Sequence, residues 1–380
     1  MIIPHRETPP RLWNCLPQWE GSMEGKQYKW KDKKQAYGDA LAYLRGRMRG
    51  EIKSFQTPFT NMNEAGAAGI EYGTTVIIAG RPGSYKSTLK DLIFNRAKEF
   101  NPEERFNILD IQLEMQAKVT AIREFSSVTQ TSYKDLCSSY APLDMEVLKK
   151  CYNHANKRVL DKSFGIDTIE DSPTTLEFKD IVEEYMEVNK NKETGEYTKT
   201  LIGIDHTRLF KRDSFDRTEE EMISSMSKMF TYLKRKYPII FFVLSQLNRD
   251  IERPERNEDR KQGNYPTSSD IFASDSLFQA GDIVIILNRP SLKNIRYYGS
   301  NGFIIDNEGI LAAHYIKCRN GDTRLTFMQA DGATMNITEI EPPVMSASNI
   351  KRIPAPLPQQ HEAKMKDLKP NDLFTNQQTQ

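Results

Sequence analysis

The chain has 380 residues, enough for one large domain or two modest ones, and its Lys+Arg and Asp+Glu totals nearly cancel to a net charge of +1. That balance excludes a wholesale basic protein, so any contact with nucleic acid must come from local loops and not from a global field. The longest apolar stretch, Pro238-Ile-Ile-Phe-Phe-Val-Leu244, is too short to cross a bilayer, the start Met1-Ile-Ile-Pro-His-Arg6 has no signal-peptide core, and the cysteines form no C-x-x-C pair. The expectation is a soluble, cytoplasmic protein with no membrane partner, no disulfide framework and no zinc ribbon.

Residues 1–32 are rich in proline, tryptophan and charge with no sustained period, which predicts an irregular arm. Over 33–49 the apolar positions Tyr37, Leu41, Leu44 and Met48 recur at helical spacing, so the segment 33–53 is read as one amphipathic helix and its exit. A lone helix cannot bury that face and needs the core or a neighbour to cover it. The compact core is expected over 54–341, because from there apolar strand-like runs alternate with helical stretches: 75–79, 106–113, 164–169, 201–204, 239–244 and 283–287. That alternation predicts an α/β fold with a mainly parallel sheet covered by helices.

The first of those runs leads directly into Gly80-Arg81-Pro82-Gly83-Ser84-Tyr85-Lys86-Ser87-Thr88. A strand that runs into a glycine-bearing loop ending in Lys-Ser-Thr is the pattern of a phosphate cradle. Backbone N–H groups close on the β-phosphate, the lysine reaches the β/γ oxygens and the hydroxyl meets Mg²⁺, so ATP and Mg²⁺ are the expected ligands. Tyr85 stands where such loops ordinarily have glycine, and a side chain there demands an unusual backbone or crowds the phosphate path.

After the second run, Glu114 sits where a base for an attacking water would be; the plain alternative is a solvated glutamate that opens a helix. Thr174 and Glu177 form a capping box after Pro173, and 184–198 reads as a polar loop or hairpin. Asp205 ends the strand 200–205 and is the candidate to hold Mg²⁺ opposite Ser87. The loop behind it carries Arg208, Lys211, Arg212 and Arg217. Ser245 and Gln246 end the most apolar run; at a strand edge they need polar partners, and a γ-phosphate is one candidate among them. A second charged loop over 248–270 carries Arg249, Arg253, Arg256, Arg260 and Lys261. Both loops are candidates for nucleic acid and equally for simple solvation.

The last core segment, 310–327, reads as two strands around Arg319-Asn-Gly-Asp322, with His314 structural. Lys317 and Arg319 alternate along the first strand and share a face. Two such cations suit either an arginine finger reaching a neighbour's phosphate or an edge guarded by charge. Residues 342–380 pass through Pro354-Ala-Pro-Leu-Pro358 and read as a disordered tail, with the paired apolar residues of Leu368-Lys-Pro-Asn-Asp-Leu-Phe374 as a peptide that could dock on a partner or simply end the chain in solvent.

Taken together, Ala79-Gly-Arg-Pro-Gly-Ser-Tyr-Lys-Ser87, Leu113-Glu-Met115 followed by Arg123, Ile204-Asp205, Leu244-Ser-Gln-Leu-Asn-Arg249 and Lys317-Cys-Arg-Asn-Gly321 occur in the order seen in the RecA-like motor domain of DnaB-type replicative helicases. The resemblance covers roughly residues 54–337. It implies a homo-hexameric ring that moves on single-stranded DNA using ATP bound between subunits, with a primase, a loader or other replication proteins as partners. By matching position, Lys86 and Ser87 would bind nucleotide and Mg²⁺, Asp205 would support the metal and Glu114 would activate water. Gln246 would sense the γ-phosphate, Lys317 and Arg319 would act on the adjacent subunit's ATP, and the helix at 33–49 would be the linker helix that docks on the next subunit. Arg208, Lys211, Arg212, Arg249 and Arg253 are the candidate DNA contacts.

Departures from the family pattern are Tyr85 and the pair Phe272 and Ala273, which stand where Arg and Glu are expected. In having no room for a globular N-terminal collar, the chain resembles the shorter helicases of phages or mobile elements. Two alternatives remain open at this stage: a RecA-like, DNA-stimulated ATPase that mediates recombination without unwinding, and an ATP-gated scaffold.

Overall fold

The computed structural model describes residues 32–161, 164–272 and 274–343. Residues 1–31 of the expected arm (1–32), Ala273, and residues 344–380 of the expected tail (342–380) with its candidate docking peptide lie outside them. The described residues fall into two compact units, divided between Ile52 and Lys53.

In the first unit the expected helix is present as Lys33–Met48. Asp32 caps it by accepting from the Gln35 N–H at 2.7 Å, while the Gln35 side chain accepts from the Asp32 N–H at 3.4 Å. Ile52 folds back over Gly46, where a Cβ would stand 2.7 Å from the isoleucine methyl. Tyr37, Leu41, Leu44 and Met48 are all exposed.

The second unit is built on strands β1 (Thr75–Gly80), β2 (Phe106–Gln112), β3 (Phe164–Ile169), β4 (Lys199–Asp205), β5 (Ile239–Gln246) and β6 (Ile283–Asn288). These six run parallel, in the order β6-β1-β5-β4-β2-β3. Three antiparallel strands, β9 (Ile310–Cys318), β10 (Arg324–Asp331) and β11 (Asn336–Ile340), extend the β6 edge to make nine. A small ribbon, β7 (Tyr297–Tyr298) with β8 (Phe303–Ile304), stands apart from that sheet.

Strands β1 and β6 are buried along their whole length, as parallel strands covered on both faces must be. Alternate residues feed two cores. Val76, Ile78, Phe242 and Leu244 pack with Leu89, Ile93 and Phe94 of the helix Lys86–Asn95, whereas Ile77, Ala79, Phe241 and Val243 pack with Phe178, Met226 and Phe230 of the helices Thr175–Val188 and Glu219–Lys236. Each of these side chains other than that of Ala79 contributes roughly 1.5–3 kcal/mol on burial, so the central strands are a stiff platform for whatever their ends carry.

The capping box forms as expected, with Thr174 accepting from the Glu177 N–H and Glu177 accepting from the Thr174 N–H. The reading of 184–198 as loop needs correction at its start. Phe178, Val182 and Met186 keep the helical spacing and bury one face, so the helix continues to Val188 and only the following residues turn. Strand β11 was not expected. His154 pairs with Glu124 at 2.7 Å, and among the described residues no group of three His, Cys, Asp or Glu side chains could hold a metal. No helix among the described residues is long and apolar enough to cross a membrane.

Candidate active site

Strand register assembles the site before any side chain is considered. Gly80 at the end of β1 lies opposite Gln246 at the end of β5, and Gln112 of β2 lies opposite Asp205 of β4. The four strand ends therefore share the carboxyl edge of the sheet, where open α/β sheets bind ligands. The phosphate loop, Glu114, Asp205 and Gln246 meet there because each immediately follows or closes a buried strand.

The loop itself has the tight backbone its composition implies. A Cβ on Gly80 would stand 2.3 Å from the Ser84 Oγ and 2.8 Å from the Leu287 carbonyl, and Gly83 takes φ +78°, so both positions require glycine. Tyr85 also adopts the left-handed region, φ 63° and ψ 26°, and caps the helix Lys86–Asn95 without a side-chain hydrogen bond. The conformation is the one a glycine would supply. The ring packs beneath the Arg289 guanidinium, 5.2 Å from the ring centre, and its hydroxyl lies beside Gly332. Tyr85 and Arg289 form a shared wall between the phosphate-loop cleft and a second, polar cavity of about 590 Å³ bordered by Asn307, Gln329 and Asp331.

The cleft holds about 340 Å³ and brings together Pro82, Gly83, Lys86, Ser87, Thr88, Glu114 and Gln246, with Met115, Arg123, His206 and Met335 at its walls. Lys86 donates from Nζ to the Arg81 carbonyl at 3.2 Å. Burial lowers its pKa, and the nearby Asp205 and Glu114 carboxylates oppose that shift. Asp205 is buried beneath the cleft and does not line it directly, a placement suited to a metal held through water. Glu114 is exposed at the mouth.

His206, directly after Asp205, was missed by sequence reasoning. It takes φ 78°, and Gln246 donates from Nε2 to its Nε2 at 2.6 Å. That bond needs an unprotonated Nε2, and burial lowers the imidazole pKa in the same sense. Its Nδ1 is buried with no partner, as is the Oγ of Ser84 in the loop. Two orphaned polar atoms beside a cradle that excludes Cβ atoms fit a polar, anionic ligand such as a nucleotide phosphate.

Below the cleft a buried network braces the strand that leads to Glu114. Lys90, one turn after Lys86, is fully buried and donates to both oxygens of Asp110 in β2 at 2.6 Å. Gln112 donates to Asp110 at 2.7 Å and accepts from Thr120 at 2.8 Å. Asp91, also on Lys90 at 3.3 Å, has its pKa pushed up to about 6 by burial, with Lys90 pulling the other way.

Lys317 and Arg319 are not brought to this cleft. Strand β9 runs antiparallel to β6, with Cys318 opposite Ile283, so both cations lie at the opposite edge of the sheet. Lys317 donates to the carbonyls of Phe278 and Gln279 at 2.7 and 3.2 Å, and Arg319 pairs with Asp282 at 2.8 Å. Asp282 also binds Lys234 and accepts from the Thr75 N–H at 2.8 Å.

The charged loops are less free than their composition suggests. Arg208 pairs with Glu219 at 3.0 Å and lies over the Phe272 ring, Arg212 donates to the Arg217 carbonyl, and Arg253 pairs with Asp250 at 2.7 Å. Arg256 is held by Asp270 and closes the second loop; Lys211 and Arg249 are exposed.

A family model described as the DnaB-like helicase C terminal domain matches residues 54–339. The chain is 25% identical over 302 residues to the replicative DNA helicase DnaB of Leifsonia xyli subsp. xyli (strain CTCB07), covering 77% of this chain and 57% of that protein. It is 24% identical over 280 residues to the replicative DNA helicase DnaB of Buchnera aphidicola subsp. Acyrthosiphon pisum (strain APS), covering 73% and 54%. It thus spans about half the length of the curated relatives it matches. Among solved structures, one described as an ATPase domain superposes with a TM-score of 0.65 at 17% identity, covering 81% of this chain and 99% of that one. A DnaB-like replicative helicase described with its interactions with primase superposes with a TM-score of 0.64 at 17% identity, covering 80% and 68%. At that identity the superpositions establish a shared fold.

Proposed function

We propose, from the premise that this chain belongs to the DnaB-like helicase C-terminal domain family, that it is an ATP-driven motor which moves along single-stranded DNA as a homo-hexameric ring and separates the strands. The observation that carries the reading is the division of the machinery between two edges of the sheet. Lys86, Ser87, Asp205, Glu114 and Gln246 gather at the carboxyl edge, while Lys317 and Arg319 stand at the other, across a strand roughly 20 Å long. A single copy cannot join them; a neighbour can.

In this reading the N–H groups of Gly83 to Lys86 and the Lys86 ammonium hold the β- and γ-phosphates. Ser87 and Asp205 would hold Mg²⁺, which supplies neutralisation of phosphate charge when bound. Glu114, at the mouth, orients the attacking water and accepts its proton. Gln246 touches the γ-phosphate and, through its bond to His206, passes the presence or absence of that charge to the segment after β4 that carries Arg208, Lys211 and Arg212. Arg319 from the neighbour stabilises charge on the transferring group, and the exposed apolar positions of Lys33–Met48 dock on the next subunit. Primase and a loader are the expected partners, and the cytoplasm is the expected location. The packing of the Tyr85 ring against Arg289 supports the motor over the scaffold alternative, because it gives the ring a place at the cleft wall.

The test is ATP hydrolysis by the intact protein and by Lys86→Ala, each with and without single-stranded DNA. Turnover stimulated by DNA and abolished by the substitution supports the motor. Turnover indifferent to DNA would favour the ATP-gated scaffold and would sink the motor reading.

A further inference from the structure

Arg81 of the phosphate loop is engaged in two directions. Its carbonyl accepts from the Lys86 ammonium, while its side chain crosses to the segment behind β5. There Nε and Nη2 take the two carboxylate oxygens of Glu252 at 2.7 and 3.1 Å, and Nη1 donates to the Leu247 carbonyl at 3.0 Å. A forked guanidinium on a carboxylate fixes orientation as well as distance, which one point charge on another does not.

Glu252 closes the short turn Arg249–Glu252, so two candidate DNA contacts flank it: Arg249 opens the turn and Arg253 follows it. The turn is also held as a body. Ile251 is buried, the Ile251 carbonyl accepts from Lys293 at 3.1 Å and the Glu252 carbonyl accepts from Asn257 at 2.8 Å. A turn braced at several points transmits a pull at Glu252 to Arg249 and Arg253 without bending between them.

We infer that the Arg81–Glu252 pair is a strut linking the phosphate loop to the turn that presents Arg249 and Arg253, with Glu252 as the positioning residue that makes ATP turnover responsive to DNA. The inference rests on the helicase reading given above. A phosphate drawn onto Lys86 acts on the Arg81 backbone, and Arg81 in turn aims the turn; by reciprocity, DNA on the turn biases the loop.

The experiment compares wild type with Glu252→Ala, Glu252→Gln and Glu252→Asp in the full chain. The readouts are turnover without DNA, turnover with single-stranded DNA, and DNA affinity by fluorescence anisotropy with and without a non-hydrolysable ATP analogue. For Glu252→Ala and Glu252→Gln the expected result is DNA stimulation reduced about tenfold, unchanged DNA-independent turnover, and loss of the effect of nucleotide on DNA affinity. Glu252→Asp, which keeps the carboxylate, should restore part of the stimulation. Should Glu252→Ala not fold, Glu252→Gln, which keeps the side-chain size, gives the reading. Full stimulation in the variants, or an equal fall in turnover with and without DNA, overturns the strut. Wild-type turnover that does not respond to DNA overturns the helicase reading itself, and the strut with it.

Discussion

Tyr85 combines a side chain with a backbone conformation that favours glycine, φ 63°, which costs about 1 kcal/mol for an L-residue. Its ring returns some of that through Arg289 and the contact at Gly332. The two contributions separate by substitution. Tyr85→Ala loses the ring and keeps the strain, whereas Tyr85→Gly loses both, so the glycine variant should be more stable by about 1 kcal/mol in urea denaturation. An alanine variant as stable as the glycine variant would mean that the left-handed conformation is not held in solution.

Asp91 gives a pH signature. Its pKa is raised from the ordinary carboxylate value to about 6 by burial, against the pull of Lys90. The folded state therefore holds this proton more tightly than the unfolded chain. The contribution of Asp91 is full below about pH 4 and is lost as pH rises through about 6, a change of about 3 kcal/mol. Asp91→Asn removes that change, so its stability relative to wild type should grow between about pH 4.5 and 7. A constant difference across that window would contradict the assignment.

At the scale of elements, the close approach of the helix Lys86–Asn95 to strands β2 and β4 depends on Gly203. A Cβ there would stand 2.3 Å from an Asp110 oxygen that Lys90 holds in place, and 2.6 Å from the Phe94 ring. Gly203→Ala should cost about 2–3 kcal/mol by chemical denaturation and loosen the strand that leads to Glu114. Strands β1, β2, β4, β5 and β6 were legible in the sequence because burial on both faces leaves mostly apolar runs, whereas β3, at the sheet edge, is half-exposed and carries only a broken apolar pattern. Glu114, Asp205 and Gln246 were legible because each closes or follows one of those runs. Strand β11 was hidden by its alternating polar residues and by Glu339, a buried carboxylate that accepts from the N–H groups of Thr60 and Asn61 instead of facing solvent. His206 was hidden because its role comes from the register that sets Gln246 beside it, which no local pattern reports. The ties of Arg208 and Arg253 to Glu219 and Asp250 were likewise invisible to composition, which counts charges and not their partners.

For the whole molecule, a cleft at one edge and Arg319 at the other mean that a contact joining the cleft of one copy to Arg319 of the next, as proposed above, would be head-to-tail, each copy offering two different faces. Lys86→Ala and Arg319→Ala should each be inactive alone. Mixed in equal amounts and allowed to reassemble, they should regain about a quarter of the wild-type sites, because about one interface in four pairs an intact Lys86 with an intact Arg319. No recovery on mixing would mean that both residues serve the same copy's site. Arg319 also comes to such an interface already engaged, since Asp282 of its own chain holds it. A neighbour's triphosphate must then win the guanidinium from a resident carboxylate, and once hydrolysis has carried away the γ-phosphate the carboxylate is again the better rival. Each subunit boundary in the proposed ring would thus be biased towards letting go after every turnover, a return stroke supplied by one aspartate.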